Sequence, residues 1–195
     1  MYRNVDRLLH VSSIAAIGKK QKSPDVSEQN KWDRSHPNSN YGISKYLAEQ
    51  EVWRGMAEGL NVVIVNPSVI IGSANWHTGP ARLFKQVWNG LKFYTEGTTG
   101  FVDVRDVARF MIQLMESDIN GERYILNGDN LTFKTVFTEI AQSIQKAPPS
   151  IKVNQFIQGV AWRLGWIYSK ITGKAPMVTK ETASAAMSTY YYECH

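Results

Sequence analysis

Residues 61–72 read NVVIVNPSVIIG, a β-branched apolar run with no polar alternation. A strand with one wet face alternates, whereas an unbroken apolar run belongs to a strand covered on both faces, as in a parallel sheet. Parallel neighbours are joined by crossovers, usually helical, and the residues upstream supply one. RLLHVS (7–12) reads as a buried strand running through serines and IAAIG into a loop. Gly18 to Asn38 is polar, holds two prolines and is expected to cross the surface. Asn38 or Ser39 then caps a helix whose apolar stripe is Ile43, Tyr46, Leu47, Trp53, Met56, Ala57 and Leu60, ending near Gly59. Strand, loop, helix, strand is a βαβ unit.

Downstream, GPARLFKQVWNGL predicts a helix started at Gly79-Pro80, and GFVDVRDVARFMIQLME an extended piece entering an amphipathic helix. ERYILNG predicts another strand. NLTFKTVFTEIAQSIQK predicts a helix starting near Leu131 or Thr132 and stopped by Ala147-Pro148-Pro149. Near the end, FIQGVAWRLGWIYSKITG reads as a helix that either packs on the domain or lies on a membrane or partner surface. Packing is favoured, because apolar residues occupy most of its circumference. Alternating strands and helices predict an α/β fold of Rossmann type, a doubly wound parallel sheet followed by a small, mostly helical substrate-binding part. The expected division is 1–72 for the sheet half and 73–195 for the substrate region with elements returning to the sheet.

Composition excludes several classes. The net charge of +5 is dispersed, and the one tight cluster, Lys19, Lys20 and Lys22, has no interleaved aromatics, so a solvated loop is expected and nucleic-acid binding is not. Cys194 is the single cysteine, which points to a reducing compartment, and a cytoplasmic location is expected. No apolar run reaches the roughly 18 residues that span a bilayer, so no integral membrane segment is expected. No metal site is expected. A dinucleotide fold opens with a Gly-rich turn onto a helix N-terminus, yet no G-x-G-x-x-G or G-x-x-G-x-x-G occurs. On this reading the N-terminal half of the fold, roughly 100 residues in about three βα units, is missing.

Tyr41 and Lys45, four positions apart in YGISK, share one helical face. Alone, that pair is common helix composition. Two further segments give it meaning: Ser12 and Ser13 end one strand, Asn66-Pro67-Ser68 ends the next, and a parallel sheet places its ligand crevice at such ends. Hydride transfer coupled to proton transfer would use these groups. A nearby ammonium favours the phenolate form of a tyrosine, and a serine hydroxyl can hold a substrate oxygen.

LLHVSSIAAIG, YGISK, VNPSVIIG and FVDVRDVA, in that order, resemble the C-terminal two-thirds of the extended short-chain dehydrogenase/reductase family, the NAD-dependent epimerase/dehydratase group. Residues 5 to about 192 carry the resemblance. VNPSVIIG and the tail GKAPMVTKETASAAMSTYYYE look most like dihydroflavonol-4-reductase-type and 3β-hydroxysteroid dehydrogenase-like members. The resemblance implies Ser13 as catalytic serine with Ser12 as neighbouring alternative, Tyr41 as acid/base, and Lys45 as its activator and ribose ligand. It implies that Ser12, Tyr41, Lys45, Asn66, Pro67, Ser68 and Val69 approach the nicotinamide end of NAD or NADP, a small-molecule substrate, and a homodimer formed through the Tyr41 helix. Sugar 4,6-dehydratases of the family carry Asp-Glu where this chain has Ile14-Ala15, which disfavours dehydration. Ile14, Trp76, His77 and Arg82 are candidate substrate residues, and Trp76, Phe84, Trp88, Phe93 and Tyr94 suggest an aromatic wall that favours a carbonyl reductase. Arg82, Lys85 and Arg105 leave a nucleotide-sugar epimerase open. Arg105 and Asp106 are expected in structural hydrogen bonds and an ion pair. A non-catalytic Rossmann-like binding fragment is the third reading.

Overall fold

The computed structural model describes residues 5–19, 23–34, 38–77, 79–153 and 186–194. The chain forms two compact units, one of Met1–Gly72, Gly100–Asn130 and Tyr190–His195, the other of Ser73–Thr99 and Leu131–Thr189.

In the first unit, β1 (Leu8–Val11), β2 (Asp25–Val26) and helix α1 (Asn40–Ala57) precede β3 (Val62–Pro67) and β4 (Val69–Ile71). After β5 (Phe93–Tyr94) in the second unit come β6 (Thr98–Asp103), α3 (Val104–Glu116), β7 (Glu122–Leu126) and β8 (Asp129–Thr132). Strand β3 is central: the order is β1-β3-β7, all parallel, with Val11 opposite Val65 and Asn66 opposite Ile125. Every β3 residue is buried, and the pleat divides them. Val63 and Val65 pack with Val107 and Leu114 of α3, whereas Asn66 turns to Glu49 of α1. Helices thus cover both faces, which is the doubly wound arrangement.

The run 61–72 is two strands rather than one. Pro67 has no N–H for the ladder, the Ser68 N–H turns to the Leu126 carbonyl at 2.9 Å, and Val69–Ile71 then pairs with β6 in a different sheet. The polar stretch 18–38 also departs from a simple surface crossing. Within it Val26 is fully buried, in a cluster with Ile14, Ile17, Ile125 and Tyr192, and β2 pairs in parallel with β10 (Tyr191–Tyr192). Lys19 is half-buried: desolvation lowers its pKa, and its Nζ lies 4.1 Å from the Tyr190 ring centroid.

Helix α1 is capped by Ser39, whose Oγ accepts from the Gly42 N–H at 3.0 Å. It closes where Gly59 takes φ 102, with the Leu60 N–H on the Gly55 carbonyl at 3.0 Å. Part of its apolar stripe is on the outside, while Tyr46, Trp53 and Leu60 are half-buried and Tyr46 stacks on Trp32 at 4.4 Å between centroids. Ile43 and Leu47 are 41% and 53% exposed, while the buried positions are Gly42 and Glu49. Gly42 meets the Ala15 carbonyl, and Glu49 reaches Asn66 of β3.

The second unit contains a 3-10 turn at Gly79–Ala81 that leads into α2 (Arg82–Trp88), then β5, α4 (Phe133–Ser143) and β9 (Ile151–Lys152). Strands β5 and β9 pair in parallel and α2 packs on α4. Thr132 caps α4 by accepting from the Thr135 N–H at 3.1 Å. The helix stops before the prolines because Gln145 adopts φ 55 and the Lys146 N–H returns to the Ala141 carbonyl at 2.8 Å. The helix expected over 156–173 lies outside the described residues, as do Lys20 and Lys22. Among the described residues, no helix is long and apolar enough to cross a membrane.

Candidate active site

All three segments expected to converge belong to the first unit, and they meet at the carboxyl rim of β1 and β3. Beyond Val11, the Ser12 N–H continues the ladder to the Val65 carbonyl at 2.8 Å. Ser13 then caps a 3-10 turn, Ile14–Ala16, its Oγ accepting from the Ala15 N–H at 3.2 Å. A hydroxyl that accepts keeps its own hydrogen for donation. Ser13 is partly exposed and Ser12 is buried.

Tyr41 and Lys45 sit on the first two turns of α1. Two contacts fasten that helix end to the serine loop. A Cβ on Gly42 would stand 2.8 Å from the Ala15 carbonyl oxygen, so only glycine permits this approach. The Lys45 ammonium donates to the Val11 carbonyl at 3.2 Å, bridging the helix to the end of β1 and keeping two further hydrogens. Tyr41 is 55% exposed on this rim.

Asn66, the first β3 residue past the end of β1, holds the rim from beneath. Its Nδ2 donates to the Ser13 carbonyl at 2.8 Å and to Glu49 Oε1 at 2.6 Å. Glu49 is fully buried, and its other oxygen pairs with Arg123 at 3.3 Å. Arg123 also donates to the Glu28 carbonyl, and Glu28 Oε1 accepts from the Ile125 N–H at 2.9 Å. The sequence reading missed Glu49 and Arg123, because a glutamate in AEQEVW looks like an ordinary solvated helix charge. One signal was present: Tyr41, Lys45 and Glu49 follow at steps of four, which stacks them on one side. His10 was missed as well. It is half-buried, and desolvation, then the Lys45 charge, lowers its pKa below 6.5, with Glu49 opposing.

The nicotinamide end of a dinucleotide can be tested against these residues. Among the described residues, Ser12 Oγ, Asn66 Oδ1 and Ser68 Oγ are buried without a protein hydrogen-bond partner. A rim with unused polar atoms, a free lysine donor pair and an exposed phenol fits a polar ring and ribose. Pro67 is buried at the β3 end and Val69 half-buried at the start of β4. The sequence contains no G-x-G-x-x-G or G-x-x-G-x-x-G turn of the kind that cradles a pyrophosphate.

The candidate substrate residues are placed differently. The Ile14 side chain lies inside the first unit's core, 8% exposed. Trp76, His77 and Arg82 belong to the second unit. There Trp76 stacks on Phe84 at 5.9 Å between centroids and meets Trp88 edge-on at 6.2 Å. His77 Nδ1 is 2.9 Å from the Lys85 ammonium, and Arg82 is exposed at the start of α2. Arg105 and Asp106 do not pair with each other. Arg105 binds Asp103, the α3 cap, at 2.6 Å, and Asp106 binds Arg109 at 3.2 Å. The hydrogen bonds from Arg105 hold the Asp103 carboxyl down at about 2.

Comparison with known proteins agrees with this architecture. The family model described as the NAD dependent epimerase/dehydratase family matches residues 1–127. The sterol demethylase protein B of Methylococcus capsulatus is 27% identical over 164 residues, which are 80% of this chain and 48% of that protein. A Synechocystis protein provisionally named dihydroflavonol 4-reductase is 26% identical over 97% of this chain and 57% of its own length. The crystal structure of gox2253 superposes with a TM-score of 0.75 at 28% identity, covering 97% of this chain and 58% of that one. The chain therefore spans about half the length of the curated relatives it matches.

Proposed function

The chain belongs to the NAD dependent epimerase/dehydratase family, and from that membership we propose that it carries the proton-transfer residues of an NAD(P)-linked oxidoreductase. The reaction is reduction of a ketone or oxidation of a secondary alcohol. Bound nicotinamide supplies or receives the hydride. Tyr41 gives or takes the proton at the substrate oxygen, and the Ser13 hydroxyl donates a hydrogen bond to the same oxygen. Lys45 places a positive charge beside the phenol and holds the ribose, and Ser12 with Asn66, Pro67, Ser68 and Val69 lines the nicotinamide end.

One observation carries this reading: the Lys45 ammonium rests on the Val11 carbonyl, immediately before the two serines. Without that bridge, Tyr41 and Lys45 would be two exposed side chains on a helix. A reductase is preferred to an epimerase because a relative matched over nearly the whole chain is provisionally named as a reductase. The apolar outer face of α1, with Ile43 and Leu47, supports pairing of two copies through that helix.

The test of the reaction class uses the full-length protein, NAD+ and NADP+, and a panel of aromatic secondary alcohols, followed by nicotinamide absorbance. Net nicotinamide reduction with at least one alcohol is expected. Calorimetric binding of uridine diphosphate without net nicotinamide turnover would replace the reductase by an epimerase.

A further inference from the structure

We infer that Glu49 is a positioning residue: through Asn66 it sets the backbone of Ser13, and with it the direction of the serine hydroxyl. The inference rests on the role proposed above for Ser13.

The Asn66 amide has a defined orientation, because both neighbours are pure acceptors. The Ser13 carbonyl at 2.8 Å and the Glu49 carboxylate at 2.6 Å each require a hydrogen, and only the Nδ2 side carries two. Its oxygen is thereby left facing away, buried and without a partner among the described residues. Glu49 and the Ser13 carbonyl together hold that orientation, because turning the amide would set its oxygen against two acceptors. The Ser13 carbonyl also accepts from the Ala16 N–H at 3.0 Å, and the Ser13 hydroxyl from the Ala15 N–H at 3.2 Å. The peptide that carries the serine is pinned from both sides.

Glu49 is itself fixed at its second oxygen by Arg123, which is tied to the Glu28 carbonyl. A buried carboxylate is retained only when it is paired and hydrogen-bonded, and here both conditions hold. The chain Arg123, Glu49, Asn66, Ser13 therefore runs from β7 through α1 and β3 to the serine loop. None of the first three needs to touch substrate. A displacement of about 1 Å at a reacting group costs on the order of 100-fold in rate, so a support of this kind has a kinetic consequence.

Glu49→Gln is the informative change. One carboxamide oxygen cannot serve both Asn66 and Arg123, and the new amide hydrogens meet a donor on either side. Hydrogen–deuterium exchange is measured on the full-length protein for the Glu49→Gln, Asn66→Ala and doubly substituted forms. The expected result is exchange about 10-fold faster at the Ala15 and Ala16 amides in each single variant, with α3 unchanged. The double variant should be no faster than Asn66→Ala alone, since Glu49 acts through Asn66. Turnover of Glu49→Gln should fall about 10-fold with KM unchanged. Unchanged exchange at Ala15 and Ala16, additive effects in the double variant, or an equal rise across α3 would each overturn the inference. If Glu49→Gln does not fold, Asn66→Ala decides alone, because it removes the link and leaves the Glu49 ion pair to Arg123 in place. Tyr41→Phe separates the two ideas. Full activity in that variant refutes the proposed chemistry, whereas a dead Tyr41→Phe with an unaffected Glu49→Gln refutes only the positioning role.

Discussion

Gly42 is the residue on which the proposed centre depends most and which the sequence advertises least. It lies between Tyr41 and the rest of YGISK, and its missing side chain lets α1 approach the Ala15 carbonyl. Gly42→Ala should gain up to about 1 kcal/mol in helix propensity and lose more to the backbone contact, for a net destabilisation of about 1–2 kcal/mol. Urea unfolding measures the sum, and an increase in stability would show that the helix does not pack there. Tyr41, Lys45 and Ser13 were legible because reactive residue types stood at recognisable spacings. Glu49, Arg123 and His10 were not, since their meaning comes from partners 17 to 95 positions away in the chain. No local pattern encodes those partners.

Elements were legible where period and cap agreed. Ser39 and Thr132 start their helices, and the amphipathic stretch after FVDV forms α3. The reading failed where a tertiary contact overrode the pattern. The run through Pro67 splits because Ser68 and its neighbours find partners in different sheets. Ile43 and Leu47 of α1 point outward because the opposite side holds Gly42 against the Ala15 carbonyl and Glu49 against Asn66. At the end of α4, Gln145 occupies a left-handed conformation that favours glycine. Gln145→Gly should therefore raise stability by about 1 kcal/mol in urea unfolding, and a loss would mean that the glutamine side chain contributes more than its backbone strain removes. At the head of α3, the Arg105 hydrogen bonds depress the Asp103 carboxyl to about 2. Arg105→Ala should raise it only part of the way toward 3.8 in an NMR titration, because the backbone N–H of residue 105 still donates to the carboxyl. With the arginine present, the cap interaction holds above pH 3.8 and is lost as pH falls through about 2.

For the whole molecule, the fold class followed from one unalternating strand and the helix before it, and the family from four motifs in order. The composition of the second unit could not be read in the same way, because strands of two residues such as β5 and β9 leave no periodic signal. Burial of His10 also gives the protein a pH response. The folded state binds this proton more weakly than the unfolded chain, whose imidazole titrates near 6.5. The contribution is thus complete above 6.5, falls as pH drops from there through the lowered folded value, and is flat below it. Replacing His10 by Gln should flatten that segment of the stability curve, compared in urea between about pH 8 and about pH 5. An unchanged slope would mean that the imidazole is solvated. The central claim is that Tyr41, at the head of a helix that Lys45 and Gly42 fasten to the serine loop, transfers the proton. Its most direct test is the turnover of Tyr41→Phe in the full-length protein at saturating nicotinamide cofactor. A loss of about 100-fold or more with cofactor affinity retained is the predicted result, and full turnover in the phenylalanine variant would contradict it.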